Sequence, residues 1–194
     1  MNFLAHIYLS GDNDFVKIGN FMADGIRGKE FENYPDDVRK GIMLHRAIDT
    51  FTDAHPVFRQ GTKRLHAQFH HFAGVVMDVF YDHFLAKNWA VYSNKNLEDF
   101  ALDFYNSLDA NYEILSDKTK NLLPFMKQYN WLASYATIDG ISRILIQMDS
   151  RTGNKSQMRF APVALREHYA LFEEEFAIFF AEVQIMASKK LSEL

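Results

Sequence analysis

The stretch from Gly74 to Trp89 (Gly-Val-Val-Met-Asp-Val-Phe-Tyr-Asp-His-Phe-Leu-Ala-Lys-Asn-Trp) constrains this chain more than any other. Wound as a helix, it is apolar around most of its circumference, the mark of a buried helix and not a surface one. Asp78 and Asp82 nevertheless sit inside it at i, i+4 spacing. At about 100° per residue both carboxylates fall on one face, beside Val75, Val79 and Leu85. Carboxylates among apolar neighbours need compensation. An arginine or the start of a neighbouring helix would supply it, and a metal ion would serve two like charges on adjacent turns at once. His83 places an imidazole next to Asp82.

The rest of the chain reads as all-α. Pro35, Pro56, Pro124 and Pro162 punctuate it: Pro35 and Pro162 as helix starts, Pro56 as closing one helix before the next, and Pro124 as a division within a helical stretch. No sustained period-2 alternation and no Asn-Gly hairpin signal occur. The expected helices cover roughly 2–9, 14–27, 36–54, 57–70, 72–91, 96–115, 118–128, 137–149 and 162–190. Eight to nine helices would thus form one bundle over residues 1–194. The polar segment 149–159 is the one long gap and reads as a mobile loop or a lid.

Composition excludes several classes. A net charge of −4 argues against binding nucleic acid or an anionic membrane through whole-protein charge. With no cysteine, disulfides and thiolate metal sites are impossible, which suits a reducing cytoplasm. The apolar start, Met1 to Ser10, lacks a basic lead and is interrupted by His6, so it is not read as a signal peptide. No run reaches the length of a membrane-spanning helix.

A second helix repeats the inward polar pattern. His45 and Asp49 are again i, i+4, lying between Val38, Ile42 and Ile48, with Arg46 and Asp53 at the edge of that stripe. A third piece is Gly19-Asn-Phe-Met-Ala-Asp24-Gly25-Ile-Arg27-Gly28, where Gly25 and Gly28 would let backbone come close. His6, among Phe3, Leu4, Ile7 and Leu9, reads as a hydrogen-bonded core residue. Three segments thus offer Asp24, His45, Asp49, Asp78, Asp82 and His83 as inward donors, a set that suits Mn²⁺, Mg²⁺, Fe²⁺ or Zn²⁺. Its carboxylate content favours Mn²⁺ or Mg²⁺ over Zn²⁺. No Glu has a His three residues on, so the di-iron bundle signature is missing. A metal with inward His and Asp suits phosphoester hydrolysis, because the ion lowers the pKa of a bound water and neutralises phosphoryl charge. Arg27 and Arg46 would clamp the phosphate.

Taken together, Asn2-Phe-Leu-Ala-His6, Gly19-Asn20, Ala23-Asp24, Arg27-Gly28, His45-Arg46, Ile48-Asp49, Thr52-Asp53, Asp78 and Asp82-His83-Phe84-Leu85 resemble the acyl carrier protein phosphodiesterase family. Ser150-Arg151 is similar to a short Ser-Arg element of that family. The resemblance implies a helical fold related to the HD-domain phosphohydrolases and a divalent cation, Mn²⁺ by preference. It also implies hydrolysis of the phosphodiester joining 4′-phosphopantetheine to a serine of acyl carrier protein.

On this reading Asp24, His45, Asp78 and Asp82 hold the metal, and Asp49 is a ligand or orients His45. His83 positions water or protonates the departing serine oxygen, and Arg46 and Arg27 offset phosphoryl charge. Replacing Asp82 by Ala would then abolish turnover while the fold survives. Carrier proteins of this kind are acidic helical domains, so docking requires a basic surface. Arg59 and Lys63, one turn apart after Pro56, are the candidates, with Arg39, Lys40 and Arg64 in support. Two alternatives stay open: a phosphohydrolase of the same scaffold acting on a nucleotide, and a non-catalytic helical binding protein whose buried acids pair with arginines.

Overall fold

Short polar side chains set where many of the helices begin. Asn2, Asn13, Asn96, Ser116 and Thr137 each accept a hydrogen bond from a free N–H of the turn that follows. The computed structural model describes residues 1–194 and contains helices and turns but no strand. In chain order the helices are α1 (Phe3–Tyr8), α2 (Asp14–Met22), α3 (Asp36–Ala54), α4 (Pro56–Phe69), α5 (Ala73–Lys87), α6 (Trp89–Tyr92), α7 (Leu97–Ala110), α8 (Asp117–Gln128), α9 (Trp131–Ser134), α10 (Ile138–Arg151), α11 (Ala161–Glu167) and α12 (Tyr169–Glu193). No helix is long and apolar enough to cross a membrane.

The expected all-α class is observed, and the differences lie at the breaks. The predicted helix 14–27 stops at Met22, and a 3₁₀ turn, Ala23–Gly25, follows. The stretches 72–91 and 162–190 are each two helices, parted at Asn88 and His168. Pro124 divides nothing, since α8 runs through it. The segment 149–159 is anchored: buried Asp149 accepts from Ser156 Oγ at 2.7 Å and from Arg159 Nε.

Helix α5 is the central rod, with Val76, Met77, Val79, Phe80, Tyr81, Phe84 and Leu85 out of contact with water. Phe172, Phe176 and Phe179 of α12 lie against its rings, as in the Phe80–Phe172 and Tyr81–Phe179 pairs at 5.3 and 5.1 Å. Helices α2 and α3 meet backbone to backbone. A Cβ on Gly19 would stand 2.1 Å from the Val38 carbonyl oxygen, and one on Gly41 2.2 Å from that of Val16. The close approach therefore comes from Gly19 and Gly41 and not from Gly25 and Gly28.

Asp78 and Asp82 do share a face, and that face meets the start of α1. Asp82, fully buried, accepts from the main-chain N–H of Leu4 at 2.7 Å and of Asn2 and Ala5 at 3.3 Å. Asp78 Oδ1 lies 2.7 Å from the Met1 ammonium. Free N–H groups and the positive end of a helix thus compensate the acids. Asp82→Ala strands those buried donors. The variant is expected to lose about 2 kcal/mol of stability and roughly 4–8 °C of melting midpoint. An unchanged thermal denaturation curve would show that the donors have another partner.

Candidate functional site

The i, i+4 spacing on α3 brings His45 Nε2 to 3.0 Å from Asp49 Oδ2. The 3₁₀ turn after α2 brings Asp24 Oδ1 to 3.2 Å from the same nitrogen. From the other side α1 contributes His6, whose ring stacks on His45 at 4.1 Å between centroids. His6 Nε2 lies 3.3 Å from Asp49 Oδ1, and one ligand atom each of His6, His45 and Asp49 fall within 4.8 Å of one another.

Asn20 decides which ring nitrogens face the carboxylates. Its Nδ2 donates to the His6 carbonyl at 3.0 Å and to Ser10 Oγ at 2.9 Å, which fixes the amide orientation. Its Oδ1 therefore accepts from the Nδ1–H of both imidazoles, at 2.8 Å from His6 and 3.1 Å from His45. Both Nε2 atoms are left pointing at Asp49 and Asp24. On neutral His6 that nitrogen is a bare lone pair aimed at a carboxylate, and it is buried with no hydrogen-bond partner.

The electrostatics follow from this geometry. Burial, only partly opposed by Asp49, holds His6 down at about 4, so it is neutral. Burial also works against the charge on His45, but Asp24 and Asp49 outweigh it and push the imidazole up to about 9. Asp49, although partly buried, is held far below the usual carboxylate range by His45 and His6. Asp24 is lowered by its contact with His45, with help from the charge of Lys118. Asp78 is raised, since burial exceeds the pull of the Met1 ammonium.

The cluster opens into a cavity of about 430 Å³. Helix α3 supplies His45, Asp49, Thr52 and Asp53 to its wall, and Asp24 and Asp78 add two further carboxylates. Helices α8, α9 and α10 complete the lining: Lys118 and Arg151 carry positive charge, and Leu122, Trp131, Ile144 and Met148 are apolar. The size is ordinary for a small-molecule site.

A family model described as acyl carrier protein phosphodiesterase matches residues 1–183. The chain belongs to this family. Curated relatives bearing the name acyl carrier protein phosphodiesterase include those of Escherichia coli O157:H7 and Salmonella agona. Each is 33% identical over 195 residues, covering 98% of this chain and 99% of the relative. The relative from Yersinia pestis is 29% identical over 191 residues, with the same coverage. No solved structure matches.

Of the residues expected at a phosphodiesterase site, the fold gathers Asp24, His45 and Asp49, and Asp78 faces the same cavity. It does not bring Asp82, whose oxygens are occupied by α1, nor His83. His83 is one residue further round α5. Its Nδ1–H donates to the Tyr135 carbonyl and its Nε2 accepts from the Tyr169 hydroxyl, both at 2.8 Å, so it is a tie between helices. Arg27 and Arg46 are exposed and outside the cavity wall. Arg46 donates to the Gly28 carbonyl at 2.9 Å and lies over the Phe31 ring. Arg59 and Lys63 line a separate cleft. The acid–arginine pairs of the non-catalytic alternative occur elsewhere, as Arg64–Glu175 and Arg159–Asp149.

His6, Asn20, Lys118 and Arg151 are the site groups that residue spacing missed. His6 and Asn20 stand in the family motif as Asn2-Phe-Leu-Ala-His6 and Gly19-Asn20, and Arg151 in the Ser-Arg element. Lys118 carried no signal. With no ion bound, the charged contacts of His45 predict a pH dependence. Its folded pKa exceeds the ordinary 6.5, so its contribution to stability is complete below that pH and disappears as pH rises through about 9. The stability difference between wild type and His45→Gln, measured in chelator across roughly pH 5 to 10, should shrink over that window. A difference that stays constant would contradict the charged assignment.

Proposed function

We propose that this protein is a divalent-metal-dependent phosphodiesterase that releases 4′-phosphopantetheine from the serine of holo-acyl carrier protein. The observation that carries the metal is the facing of acceptors. Asn20 takes both Nδ1 protons, so the buried His6 lone pair confronts the half-exposed Asp49 carboxylate. Only a proton or a cation between them makes that arrangement favourable. The contacts His6–Asp49, His45–Asp49 and His45–Asp24 are at 3.0–3.3 Å, and one ligand atom each of His6, His45 and Asp49 lie within 4.8 Å of one another, close enough to share one ion. His6, His45 and Asp49 would hold the ion, with Asp24 beside them, and imidazole with carboxylate suits Mn²⁺ or Fe²⁺. When bound, such an ion lowers the pKa of water and offsets phosphoryl charge.

The remaining work falls to side chains of this chain. Asn20 locks both imidazole tautomers and ring planes. Lys118 and Arg151, which line the cavity, neutralise phosphoryl oxygens, the role expected of Arg27 and Arg46, which do not line it. Leu122, Trp131, Ile144 and Met148 flank the pantetheine arm and exclude water. In the reaction a water oxygen bonds to phosphorus and the bond from phosphorus to the serine oxygen breaks. The proton the water gives up passes to that serine oxygen, and Asp78, ion-paired to the Met1 ammonium through Oδ1, lines the cavity where its other oxygen can carry it. Apo-carrier protein and 4′-phosphopantetheine leave.

Holo-acyl carrier protein incubated with this protein and Mn²⁺ should lose its prosthetic group by mass spectrometry, and chelator should stop the loss. Turnover of a nucleotide panel with intact holo-protein would favour the nucleotide alternative. Metal affinity is expected to fall about 10–100-fold in Asn20→Ala. It should rise with pH up to about 9, because the ion must displace the proton from His45. Calorimetry in buffers of different ionisation enthalpy reads that proton. Metal uptake without proton release would contradict the ligand set.

A further inference from the structure

Beside the metal-site cavity lies a second cleft, and Asp53 lines both. It runs along α4 and the 3₁₀ turn His70–Phe72 and is lined by Arg59, Lys63, His66, His70 and His71. Asp53 is its one carboxylate. The sequence around it is unusual for an acidic protein: between Asp53 and Asp78 there is no Asp or Glu, while Arg59, Lys63, Arg64 and four histidines fall there. Arg64 is committed to Glu175, at 2.8 Å. Lys63 has no ion pair, and Arg59 donates only to the Asp53 carbonyl, so both keep their charge for an outside partner. His70 closes α4 at φ 49°, a backbone state that is costly for a residue with a side chain. That turn sets His70 and His71 side by side on the rim, with the His66 ring 6.0 Å from that of His70.

We infer that this cleft is where an acidic helix of the carrier protein docks, so that its serine-linked arm enters the adjoining cavity past Asp53. The inference rests on the carrier protein being the substrate. Charge complementarity selects the occupant: on a protein of net charge −4, this locally cationic, histidine-rich surface repels basic partners most, and attracts acidic ones most, where it lacks carboxylates. The shared residue Asp53 gives the second argument, because a partner seated in the cleft lies next to the metal-site opening. The three histidines add donors without demanding ionisation, since a neutral imidazole N–H also binds carboxylate.

The test is binding of purified apo-acyl carrier protein, which presents the surface but no scissile bond. Wild-type protein should bind it with an affinity that falls as salt rises. Lys63→Glu/His71→Glu should bind about ten-fold or more weakly, and the control Lys189→Glu/Lys190→Glu, at the far end of α12, should bind as wild type does. Circular dichroism checks folding, and Lys63→Gln/His71→Gln replaces the reversal should that variant unfold. Equal affinity in the cleft variant and wild type overturns the inference, as does a wild type that does not bind. The outcomes separate it from the hydrolase reading. Binding through the cleft without release of phosphopantetheine leaves docking standing and removes the reaction. Release that is indifferent to the cleft substitutions does the reverse.

Discussion

The bridge made by Asn20 is the interaction on which the site depends. One carbonyl oxygen holds the Nδ1 protons of two stacked imidazoles, and so aims both Nε2 atoms at carboxylates, a bare lone pair on His6 and a charged N–H on His45. Asn20 can do this only because α2 and α3 touch at Gly19 and Gly41, where any side chain would strike backbone oxygen. The chain from packing to chemistry is short: two glycines permit the contact, the contact buries the amide, and the amide sets the tautomers. The asparagine's own donors are saturated by the His6 carbonyl and Ser10, so it cannot turn to relieve the arrangement.

The same electrostatic problem is solved differently on α5. Asp78 and Asp82 point inward as their spacing demands, but the positive charge that meets them is the start of α1. A carboxylate with main-chain donors at 2.7–3.3 Å has its compensation in fixed dipoles. That contact is also what places His6. With α1 pinned through its first turn to α5, the sixth residue is carried over His45. The paired acids thus serve the site by holding the helix that delivers one of its imidazoles.

Legibility followed the range of the interaction. His45 and Asp49 were readable because they are neighbours on one helix, where spacing alone fixes their relation. Asp24 was readable as a donor near His45, although its side chain is exposed and not inward, and its delivery by a 3₁₀ turn was not readable, since nothing in Met-Ala-Asp-Gly sets the end of α2 against a longer helix. His6 and Asn20 had no readable partner: 39 residues separate His6 from His45, and a lone core histidine fits that pattern equally well. Periodicity gave no weight to Lys118 and Arg151, because each lies on the exposed side of its own helix. The helix class and most starts were legible through caps and prolines. The breaks at Asn88 and His168 were not, since apolar periodicity continues across both.

The division of labour between the halves of the chain follows from this. The first eighty residues hold the acids and imidazoles, and helices α8 to α10 bring the cations and the apolar wall. A cluster of Asp24, Asp49, Asp53 and Asp78 would by itself repel a phosphodiester. Lys118 and Arg151 in the same cavity offset that repulsion. Lys118 lies beside Gly25 and Asp24, so charges of opposite sign meet at one edge of the cavity. Folding the second half over the first is what adds positive charge to a cavity otherwise lined by acids and an imidazole.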